Sequence, residues 1–173
     1  IVTNSQEISD KFRFLIKTVG SGLSPFDSWL IIRGIKTLPI RMERAQENAK
    51  ALVEYLLSEP RVKKVYYPGI PGSKGYEVCK KQASGFGSML TFEVESRELA
   101  FHILKSTKLI PFAESLGGTE TLLTYPTTQT HVDVPEEVRI KNGLTDRILR
   151  LSVGIEDKND LIRDLKQAIG SFL

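Results

Sequence analysis

From Leu38 to Ser58 the apolar residues recur at helical spacing. Ile40, Ala45, Ala49, Leu52, Val53, Leu56 and Leu57 fall mostly on one face, while Glu43, Glu47, Arg44, Asn48 and Lys50 decorate the other. About six turns of helix with a single apolar stripe need a second layer to cover that stripe. Any fold open to this chain must therefore supply such a layer. The remainder of the sequence offers one, because strand-like and helix-like patterns alternate from Val62 onward.

Val62–Tyr67 reads as a strand stopped by Pro68-Gly69, and residues 70–75 form a Pro/Gly loop before a short helix over 76–82. In Ser88–Val94, Met89, Thr91 and Glu93 alternate with Leu90, Phe92 and Val94, the period of a half-buried strand. Glu98–Lys105 is helical. Leu109–Phe112 and Leu122–Tyr125 are short strands, Pro126–Val134 is a Thr-rich loop, and Pro135–Lys141 is a helical turn ended by Gly143. Ile148–Val153 is again a strand. Asp157–Phe172 is an amphipathic helix with Leu161, Leu165, Ile169 and Phe172 inward. Ahead of the long helix, residues 7–19 have helical character. Ser24 fits the cap of a second helix with Pro25 at its first position; Thr37 is a further candidate cap, and Pro39 forces a kink or a new start. The fold class expected is α+β: a small, mostly antiparallel sheet with helices packed on one face and a long N-terminal helix.

Composition excludes several classes of function. The 173 residues are enough for one compact domain. Twenty-four Lys and Arg against 21 Asp and Glu leave a net charge of +3, with the two signs interspersed, so the concentrated basic face that nucleic acid demands is missing. No apolar run approaches the roughly 20 residues that span a bilayer. The single cysteine, Cys79, permits no internal disulfide and suits a reducing, cytoplasmic setting. The opening Ile1-Val2-Thr3-Asn4-Ser5 reads like a strand cut in mid-element, as expected of a piece of a longer chain.

Candidate chemistry is sparse. His102 and His131 have no cysteine or clustered carboxylate at ligand spacing, so no metal site is expected. Lys80-Lys81 after Cys79 would lower a thiol pKa, but an ordinary thiol is the simpler reading. Gly69–Lys74 lacks the Gly-Lys-Ser/Thr ending of a phosphate loop and reads as a turn. Two segments stand out. Ala113-Glu114-Ser115-Leu116-Gly117-Gly118 places an acid and a hydroxyl at a strand end, with glycines that permit close backbone approach; it is either a ligand contact or a polar turn. In Ile148–Glu156, Arg150 lies inside an apolar strand. A charge there needs a partner, either a protein carboxylate or a substrate carboxylate, and its planar fork suits both.

Taken in order, these residues resemble a known family. Ser24-Pro25-Phe26-Asp27-Ser28-Trp29 with Arg33–Leu38 and Arg41-Met42-Glu43, then Val65-Tyr66-Tyr67-Pro68-Gly69, Ser84-Gly85-Phe86-Gly87, Ala113–Gly118 and Arg150–Glu156 are similar to the C-terminal domain of Cys/Met-metabolism enzymes that depend on pyridoxal 5′-phosphate (PLP). The resemblance implies the small domain of a fold-type-I PLP transferase. Residues 1–37 would link from a PLP-binding domain and 38–173 would form the small domain. It implies that Arg150 binds the substrate α-carboxylate and that Ser115, Glu114 and Thr130 line the substrate pocket. No catalytic or cofactor-binding residue is expected in this chain, because the family's PLP lysine lies in a Ser-x-Thr-Lys-Tyr-type motif ahead of Ile1. The implied partners are an amino-acid substrate such as cystathionine, the chain's own N-terminal PLP domain and further copies in a homo-oligomer, a tetramer in the full enzyme. Thr124–Glu137 is most similar to members that act as cystathionine β-lyases in methionine biosynthesis, with γ-synthase and γ-lyase as alternatives. From another class, a non-catalytic α+β ligand-binding or dimerisation module would use Arg150 structurally.

Overall fold

The computed structural model describes all residues, Ile1–Leu173, and they form two compact units, Ile1–Pro39 and Ile40–Leu173. In the first unit, Ser5 caps helix α1 (Gln6–Val19) by accepting from the Ile8 N–H, so the opening residues lead into a helix rather than a strand. Gly20, at φ 77°, ends α1 in the left-handed conformation that glycine alone adopts without penalty. Helix α2 (Pro25–Ile35) starts as its sequence requires. Ser24 Oγ accepts from the Asp27 N–H at 3.1 Å, and Pro25 occupies the first turn. Neither helix buries a side chain.

Helix α3 (Leu38–Ser58) takes Pro39 in its first turn, where the missing N–H costs nothing. Its stripe buries Ala45, Ala49, Leu52, Val53 and Leu56, while Ile40 and Leu57 remain exposed at the stripe's edge. In the second unit follow β1 (Val62–Tyr66), α4 (Tyr76–Gln82), β2 (Met89–Val94), α5 (Arg97–Ser106), β3 (Leu122–Thr124), α6 (Glu136–Lys141), β4 (Ile148–Ser152) and α7 (Lys158–Gly170). The four strands form one sheet in the order β1-β2-β4-β3, antiparallel throughout.

Alternation decides which residues face the helices. Leu90, Phe92 and Val94 of β2, Leu149 and Leu151 of β4 and Leu123 of β3 are 0–2% exposed. They share one core with Leu52 and Leu56 of α3, Leu99 and Ile103 of α5, and Leu161, Leu165 and Ile169 of α7. Each such side chain contributes roughly 1.5–3 kcal/mol by leaving water. The fold class is the expected α+β sandwich.

One expected strand does not form. Over Leu109–Phe112 there is a single parallel bridge, Phe112 to Leu123. The cause is Asp164 of α7. Its carboxylate accepts the N–H groups of Lys108 (2.8 Å), Leu109 (2.8 Å) and Ile110 (2.9 Å), so donors that a ladder would need are turned toward a helix.

Candidate functional site

The face of the sheet opposite the core carries the candidate site. Cross-strand neighbours share a face, and the register aligns Tyr66, Thr91, Arg150 and Thr124 in one row across all four strands. Arg150 is half-buried at the centre of β4. Its Nη2 donates to Thr124 Oγ1 at 3.4 Å, and its Nε is buried without a partner. None of the chain's salt bridges includes Arg150. The guanidinium thus lies in a partly desolvated place with no protein carboxylate within ion-pair distance. A buried charge held this way is costly, which fits a site whose counter-ion is a ligand.

Arg150 opens into a groove of ≈ 790 Å³ lined also by Tyr66, Thr91, Met89 and the Tyr67–Lys74 turn. Tyr67 is buried at its edge, where its hydroxyl donates to Gly87 O at 2.9 Å. Burial, with the Cys79 sulfur nearby, pushes its pKa up to about 12, so it is a fixed neutral donor. Gln46 of α3 shapes the same region by accepting from the N–H groups of Phe86 and Gly87.

The segment carrying Glu114 and Ser115 hangs over the same face from two anchors. Thr124 Oγ1 donates to Ala113 O at 3.0 Å, and the Gly117 N–H donates to Ser152 Oγ at 2.9 Å. Thr124 and Ser152 are buried and belong to adjacent strands, so residues 114–116 bridge the β3–β4 edge. Glu114 and Ser115 themselves are exposed. One hydroxyl, that of Thr124, therefore joins Arg150 to the Ala113 end of the loop. Thr130 is placed differently. It sits exposed in the 126–134 loop with its hydroxyl 2.8 Å from His131 Nδ1, and no hydrogen bond connects it with Arg150, Glu114 or Ser115.

Behind the row, Gly154 comes so close to the backbone of Thr119 and Glu120 that a Cβ would meet the Thr119 carbonyl oxygen. The corner is tied by Glu156, which accepts from the Thr121 N–H (2.5 Å) and hydroxyl (2.8 Å), and by Asn48 of α3, whose Nδ2 donates to Gly154 O (3.0 Å) and Glu156 O (2.8 Å). Thr124 and Asp164 are supports that the sequence did not single out, Glu156 stood out only as the end of the Arg150 segment, and Asn48, expected on the polar face of α3, is buried instead. Asp164 left a signal, an acid on the apolar stripe of α7 between Leu161 and Leu165; Thr124 did not.

These features define a small domain that presents an arginine outside any ion pair and a glycine-containing loop on the face of an antiparallel sheet opposite its core. The family model for Cys/Met-metabolism PLP-dependent enzymes matches residues 1–170. Similar curated proteins are a cystathionine γ-synthase of Haemophilus influenzae (47% identity), a cystathionine γ-lyase of Dictyostelium discoideum (45%) and a cystathionine β-lyase of Lactococcus lactis subsp. cremoris (42%). The alignments cover 99%, 98% and 98% of this chain, which spans 42%, 44% and 44% of those relatives' lengths. Similar solved structures include cystathionine γ-lyase from Lactobacillus plantarum in complex with L-serine (39% identity) and cystathionine γ-synthase from Xanthomonas oryzae pv. oryzae in complex with aminoacrylate and cysteine (35%). Each has a TM-score of 0.90 over 98% of this chain, and the match covers 45% and 44% of those chains respectively. The chain belongs to the Cys/Met-metabolism family of PLP-dependent enzymes.

Proposed function

We propose that this chain is the small domain of a PLP-dependent trans-sulfuration enzyme, in which Arg150 holds the α-carboxylate of an amino-acid substrate. The carrying observation is the guanidinium with no carboxylate partner in the chain, set in a groove beside a glycine-containing loop. Two oxygens of a carboxylate match its planar fork. Ser115 and Glu114, on the loop joined to Arg150 through Thr124, contact the same substrate, and Thr130 closes the pocket from its own loop. When bound, PLP supplies an electron sink for carbanion chemistry next to the substrate amine. The role of Arg150 is orientation: a fixed carboxylate fixes the carbon that bears it, and such positioning is worth several kcal/mol of a barrier.

What these residues fit is the amino-acid end of a substrate. In this reading the cofactor is held by a preceding PLP domain to which residues 1–37 lead, and the full enzyme is a homo-oligomer, a tetramer, acting in the cytoplasm. We assign the activity to cystathionine β-lyase, on the likeness of Thr124–Glu137 to that group. Relatives named γ-lyase, γ-synthase and β-lyase share 42–47% identity with the chain, so identity alone does not select among them.

Product analysis of the full-length protein with cystathionine tests the assignment. Cleavage on the β side gives homocysteine, pyruvate and ammonia. Cysteine with a four-carbon keto acid would instead show γ cleavage. No turnover of any cystathionine-type amino acid would remove the enzymatic reading and favour a ligand-binding module.

A further inference from the structure

At the end of the sheet where β2 and β3 finish and β4 begins, the start of α5, the 125–128 segment, α6 and the approach to β4 line a second pocket of ≈ 520 Å³. It does not include Arg150 or the 113–118 loop. Arg97, Arg139 and Arg147 line it together with Glu136 and Asp146. Arg139 donates from Nη1 to Thr127 O at 2.7 Å, has a buried Nε with no partner, and makes no salt bridge. Thr127 Oγ1, in the same wall, is also buried and unpartnered. Arg97 lies over the Phe101 ring at 5.3 Å and has no carboxylate within ion-pair distance. Only Arg147 is neutralised, by Glu93 at 2.5 Å.

We propose that this pocket binds a free α-amino acid, its carboxylate on Arg139 and Arg97 and its ammonium on Glu136 and Asp146. Two guanidiniums with no carboxylate within ion-pair distance, and two buried unpartnered polar groups, Arg139 Nε and Thr127 Oγ1, fit an oxyanion. Charge balance decides which kind. With Arg147 satisfied by Glu93, the remaining two arginines offset the two carboxylates, and the rim is formally neutral. A dianion such as phosphate would leave that rim doubly negative. A zwitterion leaves it neutral and finds a partner of each sign. Ile140 and Leu144 in the same wall give an apolar surface for an unbranched side chain. Thr127 and Thr128 reach the pocket from the loop that also carries Thr130, so occupancy bears on the loop proposed to close the substrate pocket. The pocket itself does not depend on the assignment of Arg150.

Methyl NMR of the 173-residue chain titrated with L-methionine provides the test. Saturable shifts are expected at Ile140 and Leu144, with weaker responses to acetate or methylamine alone and weaker still to inorganic phosphate. Arg139→Gln should reduce methionine affinity by about tenfold or more, as loss of a charge-assisted partner does. Glu136→Gln should reduce it too, and serves where Arg139→Gln disturbs the circular-dichroism melt. Arg150→Ala should leave the shifts unchanged. Absence of saturable shifts, affinity unaltered in a folded Arg139 or Glu136 variant, or tighter binding of phosphate than of methionine would each overturn the proposal.

Discussion

A guanidinium in the middle of a strand has two possible fates, and the surroundings of Arg150 separate them. With a protein carboxylate in reach it would be scaffold; here Thr124 is its hydrogen-bond partner and no ion pair forms. In the full-length enzyme Arg150→Ala is expected to cost about 2–5 kcal/mol of transition-state stabilisation, read as a fall in kcat/KM with the melting temperature nearly unchanged. Arg150→Lys should recover little, because a point charge does not reproduce the fork. A large drop in melting temperature with near-normal kinetics would mark Arg150 as structural. Gly154 makes the opposite case. Its side-chain space is filled by the Thr119–Glu120 backbone, so Gly154→Ala should destabilise by roughly 1–3 kcal/mol in a denaturant titration. At this scale the sequence exposed Arg150, because a charge among Ile148, Leu149 and Leu151 breaks an apolar pattern. It hid Thr124, because a threonine in a strand breaks no pattern, and its value comes only from the register that sets it beside Arg150.

Elements were legible where the period was long and the ends were chemically marked. The stripe of α3, the Ser24-Pro25 start of α2 and the alternation of β2 all lie where their residues predict. Leu109–Phe112 failed for a reason that no local window contains: its neighbouring donors go to a carboxylate more than 50 residues away. Asp164→Ala should leave three backbone N–H groups without that acceptor and cost about 3 kcal/mol or more, with hydrogen exchange quickening first at residues 108–110. Helix α7 also has a pH-sensitive end. The Asn159 N–H, aided by that of Asp160, holds the Asp157 carboxyl below its usual range. A depressed folded-state pKa means a contribution that is whole above the unfolded value near 3.9 and is lost as pH falls through the folded one. Asp157→Ala should therefore lower the melting temperature at neutral pH, and the gap to wild type should close as the solution is acidified. A gap that stays constant from pH 7 to pH 2 would mean the cap acts through something other than its charge.

At the scale of the molecule, the second unit owns a continuous core, whereas α1 and α2 bury nothing and expose Phe14, Phe26, Trp29 and Ile32. One cooperative thermal transition is expected for the 173-residue chain, accompanied by self-association through those apolar side chains; a broad melt with dye binding would contradict it. Tyr67 sets an alkaline limit. Its pKa is pushed up to about 12, so its contribution is complete below the unfolded value near 10 and disappears as pH rises through about 12. Wild type should lose stability more steeply than Tyr67→Phe across that window. The position of β4 has a consequence for the chain's birth. It is the last strand made, yet it sits between β2 and β3, and β3 has no other strand to pair with. The 108–110 segment likewise waits for Asp164, more than 50 residues later in the chain. During translation β1 and β2 can pair early, but the arginine row and the Ser115 loop cannot set until β4 (Ile148–Ser152) has emerged from the ribosome. A nascent chain stalled before Ile148 should accordingly resist protease in its β1–β2 hairpin while being cut freely between Lys108 and Thr124.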